Sequence, residues 1–206
     1  MTGQTTGVTW FRAPTDDHPG LLNACYNALD IHVVRGRADD VAVHLDGREH
    51  TFAWLLTEVA ACAGVLRAFG VEVGDQVALG AVPHGTGLVG VLATARVGAV
   101  VQYDASPGAT WKVVVRGASD GVVLSADGED IRWDVAMRAG RTDPAGCADV
   151  PGDAVLSRHG TDTLTVLDAL GASDDHNLAA PAGATLVQVG GLTFWSFDAP
   201  PERAQP

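Results

Sequence analysis

The segment QVALGAVPHGTGLVGVLATARVGAVVQ, running from Gln76 to Gln102, constrains the fold more than any other part of the chain. Two apolar runs of strand length flank a longer apolar stretch of helix length. Pro83 marks the start of that stretch and Gly98 its end, the places proline and glycine favour at helix termini. Strand, helix and strand in this order favour a parallel pair joined by a helical crossover. The rhythm reaches back to residue 41, where VAVHLDGREHTF reads as a hairpin turning at Asp46-Gly47. Thr51 stands where a helix needs a cap, Leu55, Leu56, Val59, Ala63, Leu66 and Phe69 form an apolar stripe, and Gly70 suits a left-handed helix end. Upstream, Leu21, Leu22, Cys25, Tyr26, Leu29 and Val33 recur at helical spacing. A strand is predicted over 122–125 and a short helix over 133–138. The predicted class is α/β: a doubly wound, mainly parallel sheet flanked by helices, with a short β-rich C-terminal segment.

With 206 residues, 47% of them hydrophobic, the chain can bury a core without disulfide or metal staples. Residues 1–20 read as an extended arm that docks through Trp10 and Phe11, and 21–140 as the main α/β unit. Residues 141–198 read as a loop or linker followed by strands at 154–157, 184–189 and 192–197, and 199–206 as a disordered tail. A net charge of −12 argues against nucleic acid and anionic membrane as partners, because both reward basic residues. No signal-like or membrane-spanning run is present, so the expectation is a cytoplasmic protein. Cys25, Cys62 and Cys147 are widely spaced, lack a CxxC pattern, and read as reduced packing residues.

Three local patterns point to a family. WF followed by LLNACYNALDIHVVRGRADDVAV, then TFAWLLTEVAACAGVLRAFGVEVGDQVAL, then VLATARVGAVVQ occur in the order found in the N-terminal region of acetyl- and propionyl-CoA synthetases. Residues 10 to about 103 therefore resemble that part of the adenylate-forming acyl-CoA synthetase superfamily, and a weaker similarity continues through VVLSADGEDIRWDVAMRAG. The matched polar residues read as architecture. Gly70, Gly74 and Asp75 suit a turn, while Asn23, Asn27 and Asp30 suit caps or cross-links of the first helix.

The resemblance implies a phosphate loop of the form YTSGTTG.PKG, needed to neutralise charge during adenylate formation. The only counterpart is DAVLSRHGTDTLTV, residues 153–166. Ser157, Arg158, His159, Gly160, Thr161 and Asp162 fall on the loop and are the candidate binding residues. Gly160 and Thr161 match. His159, Asp162, Thr163, Thr165 and Val166 replace a serine, a threonine, the closing glycine, the proline and the lysine. A carboxylate at 162 repels a triphosphate by about 4 kcal/mol at ~4 Å and an effective dielectric near 20. Lys112, the single lysine, lies far upstream. The family's adenine, acyl and ribose motifs and its C-terminal catalytic lysine would lie beyond residue 206.

Other constellations are weaker. Asp16-Asp17-His18 and Asp174-Asp175-His176 lack the spacing of metal ligands, so no metal is expected. Ser157, His159 and Asp162 supply the residue types of a hydrolase triad without a GxSxG elbow. His44, His50 and His84 read as ordinary satisfied histidines. LTFWSF is either core or a cover over surface that longer relatives bury. The expectation is a non-catalytic, acyl-CoA synthetase-like binding or interaction module without ATP or CoA, acting as a homo-oligomer or with a partner such as a full-length ligase. The alternatives are an enzyme with a site rebuilt at 157–163 for a small acyl or anionic substrate, or one half of a split AMP-forming ligase.

Overall fold

The computed structural model describes residues 7–104, 111–173 and 178–197. Leu21 and Leu22 are not helical: they form a short strand, β1 (Leu21–Leu22), that pairs with β9 (Val150–Pro151). Asn23 decides the change, because its Oδ1 accepts the Tyr26 N–H at 3.1 Å, the bond of a capping residue. A π-helical turn over Tyr26–Asp30 then runs into α1 (Ile31–Val34). The hairpin β2 (Val41–Leu45) and β3 (Arg48–Thr51) turns at Asp46 and Gly47, both with positive φ. Thr51 caps α2 (Phe52–Ala68) by accepting the Trp54 N–H at 3.2 Å. The turn after it has Gly70 and Gly74 left-handed, and the Asp75 carboxylate accepts the Glu72 N–H at 2.8 Å.

Next come β4 (Gln76–Leu79), α3 (His84–Val97) ending at left-handed Gly98, and β5 (Val100–Gln102). A meander of β6 (Val113–Ala118), β7 (Gly121–Ala126) and β8 (Glu129–Arg132) follows, then α4 (Trp133–Gly140). After β9 lie β10 (Val155–His159), β11 (Asp162–Thr165), α5 (Val166–Ala169), and the hairpin β12 (Thr185–Val189) with β13 (Leu192–Ser196). Seven strands make one mixed sheet in the order β11-β10-β5-β4-β6-β7-β8. It is parallel through β10, β5, β4 and β6 and antiparallel at both ends. Strand β8 lies between the strand predicted over 122–125 and the helix predicted over 133–138, where no element was expected; Asp127 and Gly128, both at positive φ, turn β7 back into it.

One core joins the sheet to the helices. Val77, Leu79, Val101, Val113, Val115 and Leu124 share a sheet face and pack into it, while α2 packs against both α3 and α4. Residues 141–149 form a loop held against the core. Ala145 N donates to Ala60 O, Arg96 Nε donates to Ala145 O at 2.7 Å, and Asn23 Nδ2 donates to Ala148 O and Arg96 O, each at 3.0 Å. Asn23 Nδ2, which also donates to Ala95 O, thus satisfies two of the last carbonyls of α3, and the bidentate pair between Arg96 and Asp30 (2.7 and 3.1 Å) fixes the first helical segment to the same point. Asn27 holds the arm in turn, through the N–H and the carbonyl of Thr9. Trp10 packs so tightly on Gly20 and Gly152 that a Cβ at either glycine would lie within 3 Å of its ring.

Candidate functional site

The stretch 157–163 is a tight hairpin and not an open loop. His159 pairs with Asp162 across a two-residue turn of Gly160 and Thr161, with Gly160 at φ 55°. Period-two alternation then sorts the candidates. Ser157, His159 and Asp162 share one side of the ribbon, and Arg158 and Thr163 the other. Ser157 is fully buried beside Val101, His159 is half-buried, and Arg158, Thr161 and Asp162 are exposed. Thr165 and Val166, at the proline and lysine positions of the expected loop, serve the fold. Thr165 caps α5 through a reciprocal pair with Asp168, and Val166 is buried in the core.

A carboxylate already occupies the hairpin tip. The Gly160 N–H donates to Asp104 Oδ2 at 2.9 Å, and the Gln102 amide donates to Asp104 Oδ1. Partial burial raises the Asp104 pKa, but these two bonds, its own backbone N–H and His159 outweigh that and hold it below the usual carboxylate range. With Asp162 exposed nearby, the tip presents anionic groups where a phosphate would need donors.

Aromatic residues fill the adjoining crevice. In open α/β sheets, ligands settle beyond the carboxyl ends of the parallel strands. Here β13 lies across that position. Tyr103 Oη donates to the Trp195 carbonyl at 2.5 Å, Phe197 stacks on His159 at 4.5 Å and meets Tyr103 at 4.8 Å, and Phe194 and Trp195 are buried. Burial pushes the Tyr103 hydroxyl pKa up, so it stays a neutral donor. The space left between these rings, Leu79, Gly80 and Val91 is about 10 Å³. Pockets that bind organic ligands measure roughly 300–1,000 Å³.

The three residue types of a triad do not form one among the described residues. Ser157 Oγ has no hydrogen-bond partner among the described residues, so no base activates it, and the His159 ring is committed to Phe197. Asp16, Asp17 and His18 form a turn closed by bridging of Thr15 and His18, while Asp174, Asp175 and His176 lie outside the described residues, as does the tail 199–206. His50 stacks on Trp54 at 3.8 Å and His44 lies 3.4 Å from Glu49. The Lys112 side chain lies over Gly70. Asp104 went unnoticed in the sequence because nothing local marks it; it matters only through the register of β10 on β5.

An open concavity of about 450 Å³ lies elsewhere. It lies between the β2–β3 hairpin, α2, the start of α3 and α4, and is lined by Arg48, His50, Trp54, Glu58, Trp133 and Met137.

Fold and site together define an acyl-CoA ligase-like domain in which the 157–163 stretch is a closed hairpin. The profile of the AMP-binding enzyme family matches residues 31–175. Acetyl-coenzyme A synthetase of Streptomyces coelicolor is 33% identical over 144 residues, 61% of this chain and 22% of that protein. The same enzyme of Rhodopirellula baltica is 35% identical over 122 residues, 53% of this chain and 18% of that protein. The anthranilate CoA ligase AuaEII, solved with anthranoyl-AMP, superposes with a TM-score of 0.55 at 15% identity, over 77% of this chain and 37% of that one, a likeness of fold. This chain belongs to the AMP-binding enzyme family, and it spans about a fifth of the length of these two synthetases. Among the described residues no helix is long and apolar enough to cross a membrane.

Proposed function

We propose that this chain is a non-catalytic, cytoplasmic binding or interaction module on the acyl-CoA synthetase fold. It engages neither ATP nor CoA alone and acts by associating with a second copy or with a full-length ligase. The observation that carries this reading is the Gly160 N–H donating to Asp104 at the tip of a tight hairpin. Phosphate binding needs backbone donors that are free and a loop that admits the anion. This tip has its glycine N–H bound, two carboxylates near it, and a crevice filled by Tyr103, Trp195 and Phe197. The 450 Å³ groove, with Trp54 39% exposed, supports a binding role, since tryptophan and arginine anchor interfaces. A site rebuilt at 157–163 draws less support, because Ser157 points into the core and His159 is stacked.

ATP–pyrophosphate exchange with a panel of short carboxylic acids tests the reading. The purified chain should give no exchange above buffer, and ATP should produce no heat of binding. Exchange by the chain alone would overturn the proposal, and exchange restored by adding a ligase would favour the split enzyme.

A further inference from the structure

The junction where Asn23, Asp30, Arg96 and residues 145–148 meet also brings together two cysteines 122 positions apart in the chain. Cys25 is fully buried on the first helical segment, and Cys147 is half-buried on the 141–149 loop. Their sulfurs and an Asp30 carboxylate oxygen all lie within 4.8 Å of one another. Arg96 Nη1 reaches Cys25 Sγ at 3.7 Å, and Cys147 Sγ lies 3.7 Å from Asp30 Oδ2. Cys147 also lines a solvent-open cleft of about 330 Å³ with Arg67, Glu72, Val73 and Val97. One thiol thus faces solvent and the other stands directly behind it, the arrangement of a thiol beside its resolving partner.

We propose that Cys25 and Cys147 are a redox pair that closes to an intramolecular disulfide on reaction with a peroxide entering this cleft. The Cys147 thiolate attacks one peroxide oxygen, the O–O bond breaks, and hydroxide leaves and is protonated to water. The resulting sulfenic sulfur is attacked by Cys25, which forms the S–S bond and expels a second water. Two thiols lose two electrons and two protons, and one peroxide becomes two waters. The hydrogen bond with Cys25, followed by burial, holds the Cys147 thiol pKa above its ordinary value, so the closure is slow at neutral pH and faster in alkali. Arg96 opposes that shift and supplies the positive charge for the developing thiolate. The same three donors have the spacing of a cation site, but the Arg96 guanidinium stands among them, 2.7 Å from Asp30, where a cation would be repelled. Cys62 plays no part: burial on α2, helped by Glu58, pushes its thiol up to about 12.

The full chain treated with hydrogen peroxide should lose two of its three thiols. It should yield one linked peptide pair containing Cys25 and Cys147, lighter by two hydrogens, and dithiothreitol should reverse both changes. Cys62→Ser should keep the link and Cys147→Ser should abolish it. Cys25→Ser should leave a sulfenic acid at Cys147 that dimedone traps; if that buried variant fails to fold, the half-exposed Cys147→Ser still decides the matter. Oxidation of Cys147 to the sulfinic acid with Cys25 left free would overturn the proposal. So would stoichiometric zinc binding by the reduced chain that protects both thiols from alkylation.

Discussion

Ser157 is fully buried on the core-facing side of β10, and its hydroxyl has no hydrogen-bond partner among the described residues. An unsatisfied buried hydroxyl costs stability, whereas a nucleophile is held by its base. Ser157→Ala should therefore leave the stability read by urea unfolding unchanged or raise it by up to about 1 kcal/mol. A loss greater than that would mean the hydroxyl is bonded and would reopen a functional reading. The same residue shows why the site was only partly legible. Gly160, Thr161 and Asp162 are visible as a turn with an awkward carboxylate, because turn chemistry is local. That Ser157 faces the core and Arg158 faces solvent follows from sheet register, which no local pattern states.

Among the elements, α2 packs against α3, α4, the first helical segments and the β2–β3 hairpin. Its small residues let neighbours approach closely: a Cβ on Gly64 would lie 2.2 Å from the Asp143 carbonyl oxygen, and one on Gly140 of α4 would lie 2.1 Å from that of Ala61. Alanine in a helix normally gains about 1 kcal/mol over glycine. Gly140→Ala should instead destabilise by about 1–3 kcal/mol, because backbone must move to admit the methyl group. Gly146→Ala, with nothing within 4 Å of its added carbon, is the comparison and should stay close to wild type in urea unfolding. Equal midpoints for the two variants would refute the close α2–α4 contact. Elements with end signals were legible: the Asp46-Gly47 hairpin, the Thr51 cap and the Gly98 stop are all in place. The strand β8 was missed although Asp127-Gly128 carries the same turn signal, because EDIR is too polar to look like a strand. It can be so because it is the sheet's outer edge, where charge also deters pairing with another chain.

For the whole molecule, the β12–β13 hairpin completes the core. Val189, Leu192, Phe194 and Trp195 are each at most 2% exposed, and Gly190 packs so tightly on the Ala28 carbonyl that no side chain fits there. Burial of four such side chains contributes roughly 1.5–3 kcal/mol each, comparable with the ~5–15 kcal/mol that separates a folded domain from its unfolded chain. Removing residues 178–206 should produce a chain that binds a hydrophobic dye and elutes as aggregate. A truncated chain that stays monomeric with an unchanged urea midpoint would show that the hairpin is dispensable. From the sequence alone came the α/β class, the family and the order of the central elements, since hydrophobic period, caps and turns are properties of neighbouring residues. Only the tertiary structure decided that a carboxylate holds the tip of the 159–162 hairpin and that aromatic rings fill the adjoining crevice. Asp104, Gly160 and Trp195 lie far apart in the chain, and strand pairing is what makes them neighbours.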